Sequence, residues 1–243
     1  ISSGYSQNIG ATSPSAYDAI SCDPLRFEGA YKYDFSTVSN INMQGTLVPA
    51  DDYEGDAPVR VKMVPDGSKV LIANHLSQSV TVFNLTTNSI DTIYSFSPNA
   101  DLYSVAVTHD SQFSIITFDD LGVTKIVDLN NLDIVASIPG GGHTIRITQN
   151  NDYAYISNIA GTDKINIIHL DGSSSANVGN IVTGSMGSTY AHYGILSDIR
   201  ISPDGNYLAI AVSFDDKVKI VDLNTNTIIQ TLSAGFDFPL CLC

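Results

Sequence analysis

The sequence predicts an all-β protein, a β-propeller of four-stranded antiparallel blades, and three observations lead there. Four stretches can be laid on one another: Val61 to Ile93, Val105 to Ser137, Ile145 to Gly179, and Ile199 to Leu232. Each reads as strand, polar turn, strand, loop, strand and a shorter fourth strand. Equivalent positions at Val61, Val105, Ile145, Ile199 and Leu242 lie 44, 40, 54 and 43 residues apart. Four strands in roughly 40–45 residues is the repeat of a propeller blade.

Each element has a local cause. The first strands (VKMV, VAVT, IRIT, IRIS) alternate with period two, as strands do. The turns PDGS, HDSQ, QNND and PDGN bring Asp, Asn and Gly, which tolerate turn backbones. The second strands (KVLIAN, FSIITF, YAYISN, YLAIAV) are apolar and β-prone, and the third strands share an ending in TVFNL, KIVDL, NIIHL and KIVDL.

The two ends complement each other. AYDAISC reads as a second strand, Tyr31 to Phe35 as a third with Asp34 at the place of Asp128 and Asp222, and NINMQGTL as a fourth. No first strand precedes them. At the other end, Pro239-Leu240-Cys241-Leu242 lines up with Pro58-Val59-Arg60-Val61, which leads into a first strand. The expected arrangement is five blades, the last closed by strands from both termini, which removes exposed sheet edges. The alternative is a piece of a six- to eight-bladed propeller. The expected domains are a polar, Gly/Ser-rich arm over residues 1–15 and one propeller over 16–243. Its blade segments fall at 16–47 with 238–243, then 59–96, 103–138, 144–183 and 198–233.

Composition narrows the function classes. The 25 acidic against 11 basic residues give a net charge of −14, which excludes the Lys/Arg clusters that nucleic-acid phosphates require. No apolar run approaches the ~20 residues of a membrane span, so no membrane insertion is expected. An acidic exterior keeps a protein soluble or attracts cations. Cys22, Cys241 and Cys243 all fall in the composite blade on neighbouring antiparallel strands. A disulfide from Cys22 to Cys241 or Cys243 fits that placement and implies a secreted, extracellular or cell-surface protein. Three separate thiols are the alternative.

Candidate binding residues gather on one predicted face. Inter-blade loops bring Asp51, Asp52, Glu54, Asp56, Asp101, His143, Tyr190, His192, Tyr193, Asp237 and Phe238. The loops between second and third strands bring His75, Asp119, Asp120, Asp215 and Asp216. The longest connection, Ser173 to Ser197, is where binding is expected, since long loops on rigid frames carry it. The run from Asp51 to Asp56 offers oxygen ligands that suit Ca²⁺ but lacks the spacing of a calcium loop; no other cofactor is expected, and the metal is unknown. Lys62, Arg146 and Arg200 share one first-strand position and are expected half-buried, paired with acids that set blade register. PGGGH, Pro139 to His143, precedes a strand rather than a helix and reads as a flexible turn, not a phosphate loop. Asn84-Leu85-Thr86 is a glycosylation sequon. No catalytic residue can be named.

VLIANHLSQSVTVFNLTTNSI and YLAIAVSFDDKVKIVDLNTNTII, each after a PDG turn, resemble the YVTN family of β-propeller repeats, a WD40-like group. The family's Tyr-Val-Thr-Asn core survives here as LIAN, YISN and AIAV, and IITF departs most. The resemblance covers Val59 to Cys243. It implies a propeller and a group that holds surface-layer and secreted binding proteins, lactonase-like enzymes and redox-enzyme domains. Two functions follow as expectations. One is a non-catalytic extracellular propeller that binds a protein partner or self-assembles as a structural protein. The other is a lactonase-like or metal-dependent hydrolase with its site at the channel mouth.

Overall fold

In the computed structural model the described backbone comprises residues 18–22, 30–34, 42–46, 58–75, 77–97, 102–118, 122–158, 164–184, 198–233 and 235. Side chains are described from Arg60 onward, Tyr103 excepted. The arm over residues 1–15 and the C-terminal segment 236–243 lie outside the described residues, and so does the expected closure between the termini. The chain divides into two compact units, Ile1–Gln112 and Phe113–Cys243.

Nineteen strands are described. The first three are β1 (Asp18–Cys22), β2 (Ala30–Asp34) and β3 (Asn42–Thr46). Then come β4 (Pro58–Met63), β5 (Lys69–Asn74), β6 (Ser79–Asn84), β7 (Ser89–Ser95) and β8 (Leu102–Val107). In the second unit follow β9 (Phe113–Phe118), β10 (Val123–Asp128), β11 (Asp133–Pro139), β12 (Thr144–Ile147), β13 (Tyr153–Asn158), β14 (Lys164–His169) and β15 (Ala176–Val182). Last are β16 (Ile199–Ile201), β17 (Tyr207–Val212), β18 (Lys217–Asp222) and β19 (Thr227–Leu232). They form four four-stranded antiparallel meanders, β4–β7, β8–β11, β12–β15 and β16–β19, and a three-stranded sheet β1–β2–β3.

Turn chemistry explains the hairpins. Asp66, Asp110, Asn150 and Asp204 each accept the N–H two residues on, and a left-handed residue follows directly at Gly67, Ser111, Asn151 and Gly205. Such Asx turns are why Asp and Asn recur at this place. At Asp204, hydrogen bonds from Ser202 and then Asn206 hold the carboxyl below the usual carboxylate range. The shared third-strand ending has the same cause. Asn84, Asp128 and Asp222 accept N–H bonds from Thr86, Asn130 and Asn224.

A register break between third and fourth strands recurs at Val82/Phe83, Ile126/Val127, Ile167/Ile168 and Ile220/Val221. It also falls at Lys32/Tyr33, so β1–β3 is a copy of the same unit carrying its second, third and fourth strands. A bulge at one constant place bends each outer strand alike.

Burial follows strand position. The five residues after the first of β5, β9 and β13 are all buried, while β19 is exposed throughout. Inner strands flanked on both faces need apolar side chains throughout, which is why these stretches lose strict alternation. In the first unit Val61, Met63, Val70, Ile72 and Phe83 form one cluster, with Leu85 packed against it.

The second unit is also tied by Tyr155, whose ring is 1% exposed and whose hydroxyl donates to Asn226 Oδ1 at 2.8 Å. Burial, with the nearby Tyr153 adding to it, pushes this phenol from 10.0 up to about 12. A raised folded value means that its contribution is full below pH 10 and fades as pH climbs toward 12. Tyr155→Phe is expected to cost about 1 kcal/mol in urea unfolding at neutral pH. The wild type should lose that advantage in the same assay near pH 12, and a pH-independent difference would count against the buried hydrogen bond.

Candidate binding loops

In the first unit, the connection from β5 to β6 is clipped to the start of β8. His75 Nδ1 lies 3.0 Å from the Leu102 carbonyl oxygen, an acceptor only, so Nδ1 carries the proton and donates. Gln78, 7% exposed with φ 51°, accepts from Leu102 N at 2.7 Å through Oε1. Its amide nitrogen donates to the His75 carbonyl and its own carbonyl accepts from Phe96 N at 2.9 Å. The polar side chains here hold main chain.

In the second unit the same role is concentrated at Pro139–His143, between β11 and β12. Five side chains converge on its carbonyls. Asn177 donates to Pro139 O at 2.9 Å, Thr124 to Gly140 O at 2.5 Å and Thr117 to Gly142 O at 2.7 Å. Asn166 and Asn158 both donate to Gly141 O, at 2.9 and 3.2 Å. Gly140 N donates to Gly122 O and His143 N to Ser157 O. The segment expected to be a flexible turn is therefore a strap held by its carbonyls and buried from Gly141 to His143. Its glycines are there for room: a Cβ at Gly141 would lie 1.7 Å from Phe118 O and 2.9 Å from Val123 N. His143, read as a binding-face residue, is 1% exposed.

Nearby in the chain, the 3-10 turn Ser213–Asp215 meets the start of the long connection between β15 and β16. A Cβ at Gly184 would sit 2.6 Å from Asp215 Oδ2 and 3.7 Å from Lys219 Nζ. Asp215 is half-buried, so one expected binding residue stands where the long connection begins. Gly184 and Lys219 were not singled out in sequence, because their proximity to Asp215 has no local signal.

The shared first-strand cations divide. Arg146, a quarter exposed, donates from Nη2 to Asp198 Oδ1 at 2.7 Å, and Arg200 from Nε to Asp198 Oδ2 at 2.8 Å. One carboxylate at the head of β16 thus bridges arginines on two successive sheets. Lys62 and Arg200 are exposed rather than half-buried. On the Arg200 face Leu232 is exposed too, whereas Lys62 is exposed although its cross-strand neighbours Leu71 and Val82 are fully buried.

Other expected residues are placed as follows. Asn84 Oδ1 accepts from Thr86 and Thr87 N–H, and its Nδ2 donates to both Asp91 oxygens at 3.2 Å, so the sequon amide is engaged within its own hairpin. Cys22 ends β1 in backbone, while Cys241 and Cys243 lie outside the described residues. Asp51, Asp52, Glu54, Asp56, Asp101, Asp119, Asp120, Tyr190, His192, Tyr193, Asp237 and Phe238 also lie outside them. Among the described residues no three His, Cys, Asp or Glu side chains are grouped to hold a metal ion, and no helix is long and apolar enough to cross a membrane.

Comparison with known structures decides the architecture. A hydrazine synthase chain from Kuenenia stuttgartiensis aligns with 78% of this chain at a TM-score of 0.62 and 23% identity. A candidate 6-phosphogluconolactonase from Bacteroides fragilis aligns with 93% at 0.68 and 16%, and one from Bacteroides uniformis with 95% at 0.70 and 14%. The fold is a β-propeller. This chain spans 52% of the hydrazine synthase chain and 69% and 71% of the two Bacteroides chains. At these identities the likeness is one of fold alone. No family model matches the propeller's sequence, and no curated protein matches it significantly.

Proposed function

We propose that this is a non-catalytic extracellular propeller that binds a protein partner or assembles with copies of itself, through loops carried on a rigid frame. The observation that carries the reading is the use made of the described polar side chains in the loops and on the strands facing them. His75, Gln78, Thr117, Thr124, Asn158 and Asn166 are spent on main-chain carbonyls and N–H groups. A catalytic loop instead turns a nucleophile and base toward substrate. Loops braced this way suit presentation of a surface, and the connection between Val182 and Ile199 is the longest between sheets.

Membership of the YVTN repeats belongs to the same proposal. The repeat's terminal Asn stands at Asn74 and Asn158. Asn74 Nδ2 donates to Ser79 Oγ and Thr81 Oγ1, and Asn158 Nδ2 to Gly141 O, a bracing role in both. An extracellular location rests on a disulfide from Cys22 to Cys241 or Cys243. Non-reducing mass spectrometry should find that bridge, and three free thiols would remove the support.

The second reading, a lactonase-like hydrolase, is favoured by the two Bacteroides neighbours. A phosphorylated sugar substrate is anionic, however, and the chain has 11 basic against 25 acidic residues. Of the cations described, Arg146 and Arg200 are bound to Asp198 and Lys69 to Asp91.

The test is light scattering on purified protein, with and without residues 1–15. The full chain is expected above monomer mass, and the deletion is expected to lower that mass without moving the melting temperature. Unchanged mass, together with lactone hydrolysis lost on Asp52→Ala or His192→Ala, would make the enzyme reading correct.

A further inference from the structure

The third strands of the four-stranded sheets carry a polar side chain at one constant register position, opposite Ile72, Ile116, Ile156 and Ile210. These are Thr81, Lys125, Asn166 and Lys219. Three of them are used within the frame. Thr81 Oγ1 accepts from Asn74 Nδ2 at 3.2 Å, Lys125 Nζ donates to Ser137 Oγ at 3.0 Å and Asn166 Nδ2 donates to Gly141 O at 2.9 Å. Lys219 has a hydroxyl within similar reach, since Thr231 lies opposite it as Ser137 lies opposite Lys125. Its ammonium stands over Gly184 instead, 3.7 Å from where a Cβ would be.

Asp215 comes to the same glycine. It closes the 3-10 turn Ser213–Asp215, and its Oδ2 lies 2.6 Å from that Cβ position, so only a residue without Cβ leaves the carboxylate its room. The two charged atoms are therefore no more than 6.3 Å apart, the sum of those two distances. Among the described residues neither side chain makes a hydrogen bond or an ion pair, with the other or with a third group. Both are half-buried, so each keeps access to solvent. Apolar surface adjoins them in the chain: Val182, 70% exposed, lies two residues before Gly184, and Phe214, 45% exposed, directly precedes Asp215.

Opposite charges held apart over one glycine suit a ligand that carries both. We propose that Asp215, Lys219 and Gly184 form a binding site for a free α-amino acid with an apolar side chain, its ammonium on Asp215 and its carboxylate on Lys219. Two charge-assisted hydrogen bonds of about 2.8 Å, joined by the ~3 Å between the nitrogen and a carboxylate oxygen of such a molecule, cover the span with room to bend. Val182 and Phe214 offer the contact for the side chain. A peptide main chain carries neither charge, and an inorganic anion carries only one. The site goes beyond the partner-binding reading and does not depend on it.

Three probes test it by titration of the full chain, followed by NMR and calorimetry: L-leucine, leucinamide without the carboxylate, and N-acetylleucine without the ammonium. L-leucine is expected to shift the Gly184 amide with a Kd on the order of 1 mM. Each of the other two should bind about tenfold more weakly, having lost one charge-assisted hydrogen bond. Lys219→Met should bind L-leucine and leucinamide alike, and Asp215→Asn should bind L-leucine and N-acetylleucine alike. Equal binding of the three probes to the unmodified protein would overturn the proposal, with no variant needed. So would discrimination that survives both substitutions, or an unshifted Gly184 amide at about 50 mM L-leucine.

Discussion

Gly141→Ala is expected to destabilise the protein by about 4 kcal/mol or more, enough to leave much of it unfolded at 37 °C given total stabilities of about 5–15 kcal/mol. The added Cβ would lie 1.7 Å from Phe118 O and 2.9 Å from Val123 N. Both are main-chain atoms at facing ends of β9 and β10, so no side chain can rotate away. Moving the strap instead would pull Gly141 O from Asn158 and Asn166 and loosen Thr117 and Thr124. Gly205→Ala is the control. It has φ +73° and nothing within 4 Å of its Cβ, so only the left-handed backbone opposes it, at about 1 kcal/mol. Urea unfolding of the two variants separates clash from strain. Equal, mild losses would show that the strap does not pass against β9 and β10 as described.

The second large effect is expected at Asp198. Its carboxylate, 11% exposed, takes Arg146 on one oxygen and Arg200 on the other. Asp198→Ala should cost about 2–3 kcal/mol, below the 3–5 of a fully buried pair because both arginines keep some access to water. Asp198→Asn retains an acceptor and should recover part of the loss. Arg200→Ala, at the exposed end, should cost under about 1 kcal/mol. Thermal unfolding in low and high salt checks the assignment. A loss at Asp198 that vanishes in high salt would mean that the triad is a screened surface pair rather than a tie between sheets.

Much of the fold was legible in the chain because its signals are local. The Asp and Asn of the turns announce Asx hydrogen bonds to residues two further on. Asp34 could be matched with Asp128 and Asp222 before the common register break confirmed β2 as a third strand. The half-burial of Arg146 was legible as well, from a cation at an alternating position on an inner strand.

The site was legible only in part. PGGGH looked flexible since glycine has conformational freedom in isolation, but what surrounds it is decided by strands about twenty residues away in either direction. His143 is polar and follows a glycine run, which suggested a loop surface. Its burial depends on Ser157 accepting its N–H from the neighbouring hairpin.

What the sequence determined by itself, then, is the repeat: strand and turn positions, each encoded within a few residues by alternation and turn chemistry. What only the tertiary structure decided is which groups, main chain or side chain, come within reach of each other. Gly141 against Phe118, Gly184 against Asp215 and Asp198 between two arginines are such meetings. They arise from sheets packing face to face, so residues far apart in the chain share a surface that no local pattern specifies.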